Sequence, residues 1–447
     1  METRRENAKL SSLSKKQHAL EILRELRVRG FEAYFVGGCV RDLLLKKTPK
    51  DFDIATNATP TEVAKLFSRT VPVGAQFGVM IVVKDNISFE VATFRTDDGY
   101  RDGRHPTGVK FTDAREDAIR RDFTVNGLFY DPMEKRVLDW VEGQKDIKKK
   151  LIRAIGDPKK RFTEDNLRML RAVRFASVLG FKVEPKTFTA VKKLAAGIKT
   201  VSQERVRDEL IKMFTGPNPA LALELLDKAG LLKHVLPEVE RMKGVQQPRA
   251  YHPEGDVFRH TKLLLKQLKS PSLVLAFGAL LHDVGKPATF RRSDRIRFNG
   301  HEVVGARISE KILTRLRFSN ADKERILACV EGHMRFKDVK NMKQSTLKRM
   351  MQRETFEVEL EQHRVDCLAS HGDISNWRFL KKKVKEFSRE DIRPKPALTG
   401  GDLLGMGFKP GPLIGRILRA LEEAQLEEKI KTPDEARSWV CGTFKPG

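Results

Sequence analysis

The sequence predicts an α+β chain: a small mixed or antiparallel sheet with helices comes first, and helices run from there to the end. Three observations predict it. Short runs rich in β-branched and aromatic residues, AYFV (33–36), FDIA (52–55), MIVV (80–83) and SFEVATF (88–94), crowd into one early segment. Beyond about residue 150 such runs stop, and apolar residues recur at helical spacing over 164–179, 187–195, 203–214 and 220–231. The length of 447 residues, 40% of them hydrophobic, suits two to four domains of ~100–200 residues with cores of their own.

In chain order, a helix occupies residues 1–30: Ser14 with Gln17 reads as a capping box, Ala19, Leu20, Leu23 and Leu26 form an apolar stripe, and Gly30 stops it. Residues 31–150 form the mixed head, in which Thr59 as N-cap and Pro60 at the first turn open a helix between the second and third strand runs. A helical neck and body spans 151–242. The proline- and glycine-bearing stretch KGVQQPRAYHPEGD (243–256) opens a second helical module over 243–390, and RPKPALTGGD (393–402) lies near the start of a helical tail over 391–447.

Charge narrows the partner. With 86 Lys and Arg against 60 Asp and Glu, the net charge is +26, which favours an acidic polymer through counterion release. The hydrophobic fraction excludes a disordered chain. The four cysteines, Cys39, Cys329, Cys367 and Cys441, form no CxxC pair, so a reducing cytoplasm is expected rather than a disulfide framework. The start, METRRENAKLSS, lacks the apolar core of a secretory signal, and the longest apolar run, Leu273 to Leu281, is short of the ~18 residues that span a bilayer.

The head carries the first chemistry-bearing pattern. Gly37 and Gly38 end a strand and precede a helix starting near Val40, which lets backbone N–H groups approach a phosphate, and Arg41 adds a fork of donors. Asp51 and Asp53 flank Phe52 on a predicted strand, so both carboxylates share a face. A divalent cation relieves their repulsion, and hard oxygen ligands suit Mg²⁺, which activates a 3′-hydroxyl and stabilises a leaving pyrophosphate. Glu90 sits among apolar residues in ISFEVATF, a costly place for an unpaired charge; its face is shared with Ser88 and Ala92 while Phe89 and Val91 take the other, and either a metal shared with a neighbouring strand or a buried ion pair accounts for it.

The pattern G-G-x-x-R-D, with D-x-D ten residues on, resembles the DNA polymerase beta-like nucleotidyltransferases. More narrowly it resembles the class II tRNA nucleotidyltransferases (the CCA-adding enzymes) and their relatives, the bacterial poly(A) polymerases. RRDFTVNGLFYDP (120–132) is similar to the family motif that contacts the incoming nucleotide, through Asp122 and Asn126, expected four apart on one helix face. TFRTDDGYRDGRHP (93–106) resembles the family's flexible loop, DWVEGQKDI with GDP (139–158) its hinge-like segment, and SQERVRDELIKMF (202–214) its last motif.

EDNLRMLRAVRFA (164–176) resembles the template motif, with Asp165 and Arg168 expected on one helix face and Arg171 and Arg174 as further nucleotide contacts. The carboxylate only accepts hydrogen bonds and the guanidinium only donates them. Cytosine and adenine each present an amino donor beside a ring-nitrogen acceptor, whereas uracil and guanine present the reverse. A mismatch leaves buried polar groups unpaired, which discriminates strongly. Glu164 is expected to orient its neighbours.

The resemblance implies addition of C, C and A to tRNA 3′ ends from CTP and ATP. A poly(A) polymerase and an A-adding enzyme stay open as alternatives. GAQFGVM (74–80) resembles the CCA-adding pattern, and the intact loop from Arg95 to Phe111 argues against an enzyme that adds only CC.

LLHDVGKP (280–287) carries the second pattern. His282 and Asp283, with His260 upstream and Asp366 downstream, resemble the H…HD…D set of HD-domain phosphohydrolases; imidazole with carboxylate suits transition metals as well as Mg²⁺, and the metal's identity stays open. His301 and His333 are available to a second ion. The resemblance implies 2′,3′-cyclic phosphodiesterase and phosphatase activity on damaged ends in some members. A protein that is mainly an HD phosphohydrolase with an RNA-binding head is the reading from another class.

Overall fold

A computed structural model describes residues 2–100, 106–249 and 252–445. Residues 101–105 of the loop expected over 93–106, and 250 and 251 of the stretch over 243–256, lie outside the described residues. The chain divides into two compact units, Met1–Pro237 and Glu238–Gly447.

The first unit opens on a helix, Glu2–Val28, longer than the sequence suggests. Ser14 therefore lies inside it and is no N-cap, because the polar residues before it carry enough helix propensity to continue the turn. The head then builds a seven-stranded sheet. Its strands are β1 (Ala33–Val36), β2 (Asp53–Thr56), β3 (Thr70–Gly74), β4 (Val79–Lys84) and β5 (Ile87–Thr93). A separate antiparallel pair follows, β6 (Arg95–Tyr100) and β7 (Pro106–Phe111), and β8 (Phe129–Asp131) and β9 (Arg136–Leu138) complete the sheet. The order is β3-β4-β5-β2-β1-β8-β9. Only β2 and β5 run parallel among its neighbours, so the sheet is mixed with mostly antiparallel pairs.

Alternation decides the faces. In β5, Phe89, Val91 and Thr93 are buried while Ser88 and Glu90 are exposed. On the other face of the sheet, Val36, Ala55 and Phe129 pack on Phe94 and on Ala114 and Ala118 of the helix Ala114–Ile119. Between β2 and β3, Thr59 and Glu62 form the full capping box of the helix Pro60–Leu66. Helices Pro158–Glu164, Leu167–Leu179, Pro185–Leu194, Gln203–Phe214 and Pro219–Lys228 build the rest of this unit.

In the second unit the apolar helix Leu273–Leu281 is buried along most of its length and delivers His282 at its C-terminal cap. Helices Val257–Lys266, His301–Arg315, Asn320–Gly332 and Phe356–Ala369 carry the other histidine and carboxylate positions or end beside them. The tail has its own small core of Leu403, Phe408, Ile417, Leu421 and Val440.

A close backbone approach in the head holds the nucleotide-motif turn in place. The helix Gly143–Lys148 packs on the short 3₁₀ turn Thr124–Asn126, and Thr124 Oγ1 donates to Asp146 Oδ2 at 2.8 Å. A Cβ on Gly143 would overlap the Thr124 carbonyl oxygen and stand 2.9 Å from Leu128 Cδ2. Gly143→Ala is therefore expected to destabilise the first unit by about 1–3 kcal/mol, read as a lower midpoint of its thermal transition. Gly108→Ala, with open space around the glycine, is the control and should shift stability by less than about 0.5 kcal/mol.

Candidate functional site

The head carboxylates converge, though not as the strand pattern suggests. β2 begins at Asp53, so Asp51 precedes the strand and is exposed, with Lys15 Nζ 3.0 Å from its Oδ1. The β2–β5 pairing sets Ile54 against Val91, which puts Asp53 beside Glu90 on the face opposite Ile54, Phe89 and Val91. Glu90 is consequently exposed, and the expectation of a buried charge is wrong: its apolar neighbours point to the other face. Crowding takes the place of burial for Glu90. Burial first, then the negative charges of Glu90 and Asp51, push Asp53 up to about 6 against the opposing pull of Arg121. A divalent cation held near these carboxylates would remove the repulsion.

Beside them lies a connected polar network. Asp122 and Asn126 are not on an α-helix; Asp122 sits in a bend and Asn126 ends the 3₁₀ turn, because the chain tightens there between the helix Ala114–Ile119 and β8. The turn still brings them together, with Asn126 Nδ2 donating to Asp122 Oδ1 at 3.2 Å. Arg41 Nη1 donates to Asn126 Oδ1 at 2.7 Å and its Nη2 to Asp42 Oδ1 at 2.8 Å. Arg171 closes the network on Asp122 Oδ2, with Nε at 2.7 Å and Nη2 at 2.6 Å. Burial opposes the charge on Asp122, but Arg171, Asn126 and Arg168 together hold its carboxyl below the usual range. The Phe175 ring lies under the guanidinium groups of Arg174, Arg171 and Arg41, at 3.8, 5.3 and 5.4 Å. Gly37, with φ 71°, ends β1, and a Cβ there would meet Arg121 Nη1 at 3.2 Å. Gly38 begins the helix Gly38–Leu44 that carries Arg41.

Asp165 and Arg168 do not share a helix. Asp165 is extended and separates the helices Pro158–Glu164 and Leu167–Leu179, because its carboxylate accepts from Leu167 N at 3.0 Å and so competes with helix continuation. Arg205 grips that carboxylate in bidentate fashion, Nη2 to Oδ2 at 2.7 Å and Nη1 to Oδ1 at 3.2 Å. Arg168 Nη1 donates to Glu164 Oε2 at 2.7 Å and to the Arg161 carbonyl at 3.2 Å. Arg174 pairs with Glu209 at 2.5 Å. Arg205 and Glu209 are partners that sequence reasoning missed. Their helix stands out as a motif, but nothing local says which of its charges turn inward.

In the second unit four imidazoles surround Asp283. Its Oδ2 lies 3.2 Å from His282 Nε2 and 2.8 Å from Lys286 Nζ, and its Oδ1 3.5 and 3.9 Å from His301 and His333 Nε2. His260 Nε2 is 2.9 Å from Asp366 Oδ1, and its Nδ1 2.8 Å from Glu254 Oε1, which also meets His252 Nδ1 at 3.0 Å. His260, His282 and Asp283 present ligand atoms within 4.8 Å of one another, as do Asp283, His301 and His333, and as do His252, Glu254 and His260. His260 and His282 keep buried ring nitrogens with no aligned hydrogen-bond partner, the condition a cation would satisfy. Burial opposes a proton on His260, yet Asp366 and Glu254 hold it up at about 9, while burial and His282 push His333 down to about 3. The donor set fits a divalent metal. Sequence reasoning missed His252, Glu254 and Lys286 as site residues; the signal was present in HPEGD and HDVGK, where the first read only as a loop boundary.

Comparison with known proteins agrees with this organisation. The model of the Poly A polymerase head domain matches residues 33–153, that of the probable RNA and SrmB-binding site of polymerase A matches 180–243, and that of the HD domain matches 249–369. A CCA-adding enzyme of Oceanobacillus iheyensis is 42% identical over 264 residues, 59% of this chain and 63% of that protein. One of a Geobacillus species is 46% identical over 220 residues, 49% and 54%. The matched stretches thus span between half and two thirds of these relatives' own length. The crystal structure of Bacillus stearothermophilus CCA-adding enzyme in complex with CTP superposes with a TM-score of 0.71 at 28% identity, covering 95% of this chain and 96% of that one. Thermotoga maritima CCA-adding enzyme complexed with tRNA shares the fold, with a TM-score of 0.62 at 18% identity over 96% and 95%.

The raised Asp53 carboxyl has a consequence for stability. The folded state holds its proton to a higher pH than the unfolded chain, so stability is lost as pH rises from the ordinary 3.8 through about 6. In the presence of a chelator, Asp53→Asn is expected to unfold at a higher temperature than the unsubstituted protein at pH 8. The difference should vanish below pH ~4, as followed by scanning calorimetry.

Proposed function

We propose, from a chain that carries a Poly A polymerase head domain, its RNA-binding segment and an HD domain in the fold of the CCA-adding enzymes, that this protein is a tRNA nucleotidyltransferase. It adds CCA to tRNA 3′ ends from CTP and ATP without a nucleic-acid template. The observation that carries the reading is the Asp165 and Arg168 pair, each held by a second charged residue, in the same unit as the crowded Asp51, Asp53 and Glu90.

Asp51, Asp53 and Glu90 hold Mg²⁺. Bound there, the metal supplies positive charge for the attacking 3′-oxygen and the departing pyrophosphate. The reaction forms a bond from the tRNA 3′-oxygen to the α-phosphorus and breaks the bond to the bridging oxygen beyond it. The hydroxyl proton leaves and pyrophosphate departs. Gly37 and Gly38 let the backbone approach the triphosphate. Arg41, committed to Asn126 and Asp42, braces the nucleotide floor with Asp122 and Arg171.

Asp165 accepts the exocyclic amino group of cytosine or adenine, and Arg168 donates to the neighbouring ring nitrogen. Asp165 is constrained by Arg205 and Leu167 N, and Arg168 by Glu164. A base with reversed polarity would therefore meet groups already fixed, and would leave them unpaired. The helical neck and body grip the acceptor stem by shape and phosphate contacts. Four free cysteines suit a cytoplasmic location.

A second activity is favoured by one observation, the buried histidine and carboxylate cluster around Asp283. His260, His282, Asp283 and Asp366 hold a divalent metal for phosphoester hydrolysis at damaged 3′ ends, with 2′,3′-cyclic phosphate as the substrate class.

Three experiments test these readings. With tRNA ending before CCA, after C and after CC, single-nucleotide products are expected from each. Long A tails on unrelated RNA would instead identify a poly(A) polymerase. Asp53→Ala should abolish CTP and ATP incorporation while leaving tRNA binding intact, and wild-type incorporation would sink the metal assignment. Asp283→Ala should remove Mn²⁺ or Ni²⁺ binding measured by calorimetry and any hydrolysis of 2′,3′-cyclic AMP, and spare nucleotide addition.

A further inference from the structure

Arg161 belongs to a basic run, Lys159–Arg161, that reads from sequence as an RNA-backbone contact. Its side chain is turned inward instead. The guanidinium spends all its nitrogens on protein. Nε donates to the Ile155 carbonyl at 3.0 Å and Nη2 to the Ile119 carbonyl at 2.8 Å. Nη1 donates to Glu164 Oε2 at 3.0 Å and, longer, to the Arg120 carbonyl at 3.5 Å. Ile119 and Arg120 close the helix Ala114–Ile119, whose other end follows the β6–β7 pair. Arg120 also leads directly into the Asp122 turn.

Glu164 Oε2 is the shared atom. It accepts from Arg161 and, at 2.7 Å, from Arg168, while Arg168 also reaches the Arg161 carbonyl at 3.2 Å. Three charged side chains thus run in series from the C-terminal end of a head helix to Arg168, all of them mostly buried. Without Arg161, Glu164 is left to Arg168. The pair then loses its tie to the head helix, and the Ile119 and Arg120 carbonyls lose the Arg161 guanidinium.

We propose that Arg161 is a positioning residue for base selection. It fixes Arg168 through Glu164 and registers it against the head helix that leads into the Asp122 turn. It touches neither base nor metal; its effect is on the angle at which Arg168 meets the ring nitrogen. The inference rests on the nucleotidyltransferase reading above. It also separates Arg161 from Lys159 and Lys160, which are exposed and remain available to phosphates.

The test compares Arg161→Lys, Arg161→Ala and Glu164→Gln for incorporation of CTP, ATP, UTP and GTP into tRNA lacking its 3′ end. Circular dichroism and thermal midpoints are recorded alongside. In Arg161→Ala, discrimination of CTP over UTP is expected to fall about tenfold or more, chiefly through a higher KM for CTP with kcat within about threefold. Arg161→Lys retains the charge but not the multiple donors, and should fall between. Adding Arg161→Ala to Glu164→Gln should cost little more than Glu164→Gln alone, since both cut the same series.

Unchanged discrimination in the alanine variant, or in the lysine variant if alanine fails to fold, overturns the inference. Fully additive losses in the double variant also overturn it. An unsubstituted protein that does not prefer C and A over U and G overturns the nucleotidyltransferase reading itself.

Discussion

The first unit depends on the ion pair between Asp122 and Arg171. Asp122 comes from the tight turn after the head helix, and Arg171 from the long helix Leu167–Leu179 of the neck. Two guanidinium nitrogens, at 2.7 and 2.6 Å from the one oxygen Oδ2, tie the two elements together. The carboxylate is buried, so removing its partner would strand a charge at a cost of roughly 3–5 kcal/mol. From this pair the order spreads in both directions: through Asn126 to Arg41 on the glycine helix, and along the neck helix to Arg168, Arg174 and the Phe175 ring. A nucleotide pocket assembled on it comes with its donors and acceptors already directed, which is the condition for selecting a base by hydrogen-bond polarity.

The two metal-fitting sites solve their electrostatics differently. In the head, burial first and then the negative charges of Glu90 and Asp51 raise the Asp53 carboxyl. A cation gains affinity there by cancelling those charges. In the second unit, neutral and charged imidazoles are interleaved with carboxylates that compensate them. Glu254 and Asp366 flank His260, and His282 with Lys286 holds Asp283 well below the usual carboxylate range. The first arrangement suits a weakly held, hard ion that arrives with a triphosphate, and the second a resident ion with nitrogen ligands.

The large positive charge of the chain divides by what each cation faces. Arg41, Arg161, Arg168, Arg171, Arg174 and Arg205 are absorbed by buried or half-buried hydrogen bonds and contribute architecture rather than a field. Lys148, Lys149 and Lys150 stay exposed, as do Lys159 and Lys160. Lys381 and Lys383 are partly neutralised by Glu357 and Glu386. An acidic polymer would therefore meet lysines, while these arginines are spent on carboxylates and carbonyls within the protein. The division follows chemistry, since a planar multidonor group satisfies carboxylates and carbonyls in fixed directions and an ammonium keeps its hydration.

Sequence alone determined the order of the parts. The change from strand-like runs to helical periodicity near residue 150 and the capped helix at Thr59 were legible, because local propensity and motif spacing are written in neighbouring residues. Tertiary structure decided which of those residues meet, and in what state. Alternation already sets Glu90 on the face away from Phe89 and Val91, but only the pairing of β2 with β5 puts it beside Asp53, and only the fold leaves it exposed. Asp165 and Arg168 looked like one helix face; a capping carboxylate breaks the helix between them, and Arg205, from a helix far along the chain, holds that carboxylate. Arg161 looked like a surface cation and is an internal strut, and His252 with Glu254 looked like a loop boundary and flanks the histidine cluster. Such facts depend on contacts between residues distant in sequence, and the charge and spacing of neighbours carry no information about them.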